Sequence, residues 1–122
     1  MATTFVAPAL DDVYVEQPGL GTAVVVFSGE HDLATGAEVE ELLTRLVDGN
    51  ELVIADFSGA EFVDSSMLWV LKRANDDARA KGRSLRIQLG TADIVRRTFE
   101  VSGFFAILEI VPTREAALLR TG

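Results

Sequence analysis

The sequence predicts an α/β domain. Its core is a mixed, mostly parallel sheet of about five strands, opened by an antiparallel hairpin and packed by about four helices. Three observations carry this. Apolar, β-branched runs of strand length, such as Ala23-Val24-Val25-Val26-Phe27 and Leu52-Val53-Ile54-Ala55, alternate with stretches whose apolar residues recur at helical spacing. The first two strand-like runs are joined by a turn signal rather than a helix, which makes them a hairpin. The chain has 122 residues, 48% of them hydrophobic, which suits one domain around one core.

The elements follow in order. Residues 1–9 read as a loose leader, and the domain as 10–120. Asp12 to Glu16 is a short edge strand, and Gln17-Pro18-Gly19-Leu20-Gly21 is the turn. Thr22 to Ser28 is the second strand. Thr35-Gly36-Ala37-Glu38 has the form of a capping box, with Thr35 as N-cap. Val39, Leu42, Leu43, Leu46 and Val47 then form one apolar stripe, and Gly49 stops the helix. Leu52 to Asp56 is a strand that ends in a Ser58-Gly59 turn. Met67, Val70, Leu71, Ala74 and Ala78 share one face of a helix opened at Ser65 and ended at Gly82. Ser84 to Leu89 alternates as a half-exposed strand. Thr91 starts a helix through Val101, stopped by Gly103. Ala106 to Val111 is the last strand, and Arg114 to Leu119 a closing short helix. Strands alternating with helices imply parallel pairing through right-handed crossovers.

Composition narrows the function. Without Cys there is no disulfide, thiolate nucleophile or thiolate metal site. No apolar run is long enough to span a bilayer, and the N-terminus lacks the basic region of a signal peptide, so a cytoplasmic protein is expected. The net charge is −8, and it is unevenly spread: residues 1–82 hold 5 basic and 15 acidic side chains, whereas residues 83–122 hold 6 and 4. That balance disfavours nucleic acid and suits a partner with a basic face, although acidity also serves solubility alone.

Enzyme chemistry finds few parts. His31 is the only histidine, and Ser65 and Ser66 lack the Gly-flanked setting of a nucleophile elbow. His31 is expected at a strand end or in a loop, without a catalytic role. Neither a dinucleotide-binding nor a P-loop glycine pattern occurs. Asp56, at a strand end, is similar to a receiver-type phospho-accepting aspartate, but the acidic pair Asp11-Asp12 precedes the first strand instead of following it. No cofactor, metal or membrane contact is expected. Two serines at the mouth of a helix remain, where outward N–H groups and the helix dipole favour negative charge. Such a serine is a cap, a nucleophile or a phosphorylation site.

Two motifs carry a resemblance. Gly29-Glu30-His31-Asp32-Leu33-Ala34-Thr35 resembles the G-E-x-D-x-x-T loop of STAS domains. Asp56-Phe57-Ser58 with Phe62-Val63-Asp64-Ser65-Ser66 resembles the second signature of that family. The nearest group is the bacterial anti-sigma factor antagonists. The resemblance implies a partner switch rather than an enzyme. Ser65 would be phosphorylated by an anti-sigma factor acting as a serine/threonine kinase. The unphosphorylated form would bind that kinase and free a sigma factor, and a metal-dependent serine phosphatase would reset the phosphorylated form. Glu30, Asp32, Asp64, Ser66, Met67 and Trp69 would contribute to the partner surface. A phosphate at the mouth of a helix is expected to be held by the N–H groups and dipole, so phosphorylation would act at the surface and leave the fold intact.

The chain also departs from the family, which usually has Gly two positions after the phosphoacceptor and often a second small residue after the following Leu. Here Met67-Leu68-Trp69 stands instead. Trp69, opposite the apolar stripe, is either a partner anchor or covered by a neighbouring element. The larger side chains leave open a second function, a STAS scaffold or ligand-sensing module not regulated by a Ser65 kinase. Asp64 and Ser65 also have a purely structural reading, as N-caps.

Overall fold

The computed structural model describes residues 5–10, 12–31, 33–91 and 93–119, with side chains from residue 12 onward except 33–35. Six strands and four α-helices follow one another as β1 (Phe5–Leu10), β2 (Val13–Gly19), β3 (Thr22–His31), α1 (Leu33–Gly49), β4 (Leu52–Val63), α2 (Ser65–Ala80), β5 (Ser84–Gln88), α3 (Asp93–Ser102), β6 (Glu109–Val111) and α4 (Arg114–Leu118). A 3₁₀ turn at Phe104–Ala106 lies between α3 and β6.

The strands lie side by side in sequence order. β1, β2 and β3 pair antiparallel, and β3 to β6 pair parallel. Each parallel crossover advances one strand in the same direction. Right-handed crossovers that all step one way leave their helices on one face of the sheet. Val39 and Leu43 of α1, Leu68 and Leu71 of α2, and Val95 and Phe99 of α3 accordingly share one core with Val25, Val53, Ala55 and Ile87. The strand residues between these point the other way: Val24, Leu52 and Ile54 pack with Ala117 of α4. Cover on both faces explains why these strands are apolar throughout instead of alternating.

The predicted fold class is present, with differences in its elements. β5, expected to be half-exposed, is buried on both faces, Arg86 and Gln88 included, because α4 covers the side opposite the other helices. Phe5–Leu10, expected within the loose leader, is an edge strand paired with β2. Its Pro8 suits an edge, where one side of the strand needs no ladder partner. α1 begins at Leu33, so Thr35 lies inside the first turn and is not the N-cap. Ser58-Gly59 is no turn: β4 runs through it, and the register against β3 shifts there, from Val26 opposite Asp56 to Ser28 opposite Gly59. The small residues absorb a bulge. The close approach extends across the sheet, since a Cβ on Gly90 would lie 2.7 Å from the Ser58 Cα. Finally, β6 is shorter than expected, because Phe104–Ala106 turns as a 3₁₀ helix and buries Phe104.

Candidate functional site

The site is built where β3 and β4 leave the sheet. Parallel register places Glu30 beside Phe62 and His31 beside Val63. Two motifs about thirty residues apart thereby become neighbours at the carboxyl edge of the parallel strands, the usual position for sites in such sheets. Gly29 takes φ +72°, a left-handed conformation open to glycine, as β3 bends toward that edge.

Asp64 ends β4 in an extended conformation and caps α2. Its Oδ1 accepts from the backbone N–H of Ser66 at 3.0 Å and of Met67 at 3.3 Å, and also from the Ser66 hydroxyl. The backbone N–H of Asp64 donates to the His31 carbonyl at 3.2 Å, tying the start of α2 to the end of β3. His31 is buried. Its Nε2 faces the Ser28 carbonyl at 2.8 Å, which requires the proton on that nitrogen, and its ring stands edge-on to Phe27 at 5.2 Å. The imidazole is thus a strut at the strand end, engaged with β3 itself.

The two serines are inequivalent. Ser66 is half-buried and locked into the cap; Ser65, the first residue of α2, is exposed. The expectation that helix N–H groups would hold a phosphate on Ser65 is corrected in one respect. Two of the first-turn amides are already taken by Asp64, so a phosphate there gains the helix dipole but meets a neighbouring carboxylate. Glu30 is exposed at the same edge, and Asp32 lies outside the described residues.

The STAS domain profile matches residues 13–117. The chain belongs to the STAS domain family. Solved structures share the fold. An anti-sigma factor antagonist from Mycobacterium paratuberculosis is 24% identical, with a TM-score of 0.74 over 97% of this chain and 92% of that one. The Bacillus cell fate determinant SpoIIAA is known in two forms. The unphosphorylated anti-sigma factor antagonist is 19% identical, with a TM-score of 0.73 over 87% of this chain and 92% of that one. The phosphorylated form is 18% identical, with a TM-score of 0.66 over 87% and 96%. SLC26A9 holds the fold in a longer chain, at 16% identity and a TM-score of 0.70, over 93% of this chain and 23% of that one. No curated protein sequence matches the chain.

Within the STAS domain, the two enlarged side chains part company. Met67 was expected at the partner surface, but its side chain is wholly buried in the core beneath the helices. As the third residue of α2 it faces the sheet, so it fills space and offers nothing to a partner. Trp69 is both covered and open. It is 51% exposed, and one edge meets Phe104 in a T-shaped contact at 5.3 Å. Its other side borders a groove of about 440 Å³ between α1 and α2, with Gly36, Ala37 and Val70 as walls and Ser66 at one end. Arg73 and Glu40 line the groove, joined by two hydrogen bonds at 2.9 and 2.8 Å. The Arg73 hydrogen bond holds the Glu40 carboxyl below its ordinary range.

The receiver-type reading of Asp56 fails on geometry. Asp56 is buried on the face of the sheet covered by α4. Its Oδ1 accepts from the Ser58 N–H at 2.8 Å and its Oδ2 from Arg114 at 2.7 Å. Arg114 reaches Glu16 and Gln88 as well. Burial works against the Arg114 charge, but hydrogen bonds to Asp56 and Glu16 outweigh it, and the guanidinium is held charged more firmly than usual. This cluster clamps α4 to the sheet. Among the described residues no group of His, Cys, Asp or Glu is placed to hold a metal ion, and no helix is long and apolar enough to cross a membrane. Two features were not legible in the sequence: the Phe104 contact with Trp69, which joins elements distant along the chain, and the α1–α2 groove beside Ser66.

Proposed function

We propose that this STAS domain is an anti-sigma factor antagonist, a binding module that works in the cytoplasm by partner switching. Unphosphorylated, it binds an anti-sigma factor that is also a serine/threonine kinase. Phosphorylation of Ser65 releases that partner, and a metal-dependent serine phosphatase restores the binding form. The observation that carries this reading is the contrast between two adjacent serines: Ser65 is exposed at the first position of α2, while Ser66 is spent on the cap. The fold shared with anti-sigma factor antagonists supports it, as does the SpoIIAA fold in both phosphorylation states.

The switch follows from charge. A phosphoserine adds about −1.5 to −2 at neutral pH. On Ser65 that charge stands beside Asp64, in the acidic part of the chain, with the neighbouring amides occupied. It projects into the partner interface instead of folding back onto the helix. Glu30, Asp32, Asp64, Ser66 and Trp69 make up the surrounding contact surface. The test uses the cognate kinase and ATP. Phosphate should map to Ser65 and be abolished by Ser65→Ala. Ser65→Glu should keep the native fold and lose kinase binding; kinase binding as tight as wild type by Ser65→Glu refutes the switch.

A second reading has its own support. Trp69 stands where the family usually has a small residue, and SLC26A9 carries the same fold as part of a longer chain. A STAS scaffold or ligand-sensing module, indifferent to any Ser65 kinase, would bind its partner equally well as wild type, Ser65→Ala and Ser65→Glu.

A further inference from the structure

The other end of α2 carries a second concavity, of about 450 Å³. Arg79 lies about 20 Å from Ser65 at the helical rise of ~1.5 Å per residue, so the two regions are separate. Asn75 and Arg79, four residues apart, lie on one face of the helix. Arg83 follows just beyond the helix end, and Ser84 opens β5. All four line the cavity. Leu85 and Leu108 are buried apolar residues in its wall, and Ile107 adds an exposed apolar edge.

The polar groups are unspent. Asn75 is only 7% exposed, yet its carboxamide has no hydrogen-bond partner among the described residues. Its amide atoms are not themselves buried, so they open onto the cavity and are free to pair with a ligand. Neither Arg79 nor Arg83 is ion-paired among the described residues. Glu109 borders the cavity, but its carboxylate is ion-paired with Arg86 at 3.2 Å. Arg86 points to the opposite face of the sheet, where it binds the carbonyls of Ala117 and Leu119. The cavity is therefore locally cationic on a chain of net charge −8.

We propose that this cavity is a binding site for a small organic oxyanion. Arg79, Arg83 and Ser84 bind a phosphate or carboxylate head, Leu85, Leu108 and Ile107 pack against its apolar body, and the Asn75 amide pairs with a polar group on it. Arginine forks suit both head groups, and the volume is that of a metabolite site. The site is independent of Ser65 and stands whether or not the switch does.

The test is a titration of the ¹⁵N-labelled protein with phenyl phosphate, benzoate and phenol, followed by amide chemical shifts. Phenyl phosphate or benzoate should give saturable shifts confined to residues 75–85 and 107–109, the stronger binder identifying the head group, and phenol should give none. The double variant Arg79→Gln/Arg83→Gln should weaken binding by roughly tenfold or more. Arg45→Gln/Arg97→Gln, which removes the same charge elsewhere, should not. Thermal unfolding confirms that both variants are folded. The proposal is overturned if neither anion saturates, if phenol binds equally well, or if the Arg79/Arg83 variant binds like wild type.

Discussion

Trp69→Ala separates the two halves of one side chain. The indole is 51% exposed, so about half of it is removed from water. A fully buried aromatic side chain hides ~150–250 Å²; half of that is ~75–125 Å². At ~25 cal/mol per Å² the loss on truncation is about 2–3 kcal/mol, an upper figure because the unfolded chain already hides part of this area. The edge-on contact with Phe104 at 5.3 Å adds about 0.5–1.5 kcal/mol beyond area burial and offsets that over-count, so the total is about 2–4 kcal/mol. The assay is urea unfolding followed by far-UV circular dichroism, since Trp69 is the only tryptophan and its fluorescence disappears with it. With a slope of ~1–3 kcal/mol per molar urea, the midpoint should fall by about 1–2 M. A double-mutant cycle with Phe104→Ala should return the coupling of the aromatic pair. A loss below ~0.5 kcal/mol would mean that the indole is free of Phe104 in solution; a loss above ~4 kcal/mol would mean that its groove side is buried too. Either result refutes a half-seated tryptophan. The exposed half is the part available to a partner, so binding should weaken beyond what lost stability explains.

Met67→Ala should cost about 2–5 kcal/mol in urea unfolding, because it empties a wholly buried core position, while the folded fraction keeps wild-type partner affinity; weakened affinity at unchanged stability would return Met67 to the surface. Asp64→Ala should cost about 1–2 kcal/mol by the same assay, through loss of the acceptor for the Ser66 and Met67 amides; no change would mean that the cap is redundant. The Glu40 carboxyl is held below its ordinary range by Arg73, so its contribution is present above the unfolded value of ~4.3 and is lost as pH falls through the lower folded one. Wild type should therefore lose more stability than Arg73→Gln between about pH 6 and pH 3, and equal slopes would show the pair to be without effect.

How far the sequence could be read depended on the range of the interaction involved. Helical and strand periodicity placed the elements, because the alternation of apolar residues is a local property of each segment. Gly103 stops α3 where expected for the same reason. The Ser58-Gly59 pair misled, because residues that punctuate a turn also relax a bulge, and only the pairing of β3 with β4 distinguishes the two. The leader misled similarly: Phe5–Leu10 is a strand because β2 offers it a partner. The site divides along the same line. Asp64 as cap, and Ser65 and Ser66 at the mouth of α2, were legible, since a cap involves neighbours in the chain. That Ser66 is half-buried in the cap while Ser65 stays exposed was not.

By itself, then, the sequence determined an α/β domain, its order of elements, the STAS resemblance and the segment that holds the candidate site. These rest on local periodicity and on short motifs. The tertiary structure alone decided which side chains face outward. Met67 and Trp69 are two residues apart and equally out of pattern, yet one turns into the core and the other straddles Phe104 and a groove. Asp56 looked available and is clamped by Arg114 from the far end of the chain. Arg79 and Arg83 carried no signal until packing set them around an unpartnered Asn75. Exposure is set by the elements that pack against a residue, and those lie far from it along the chain.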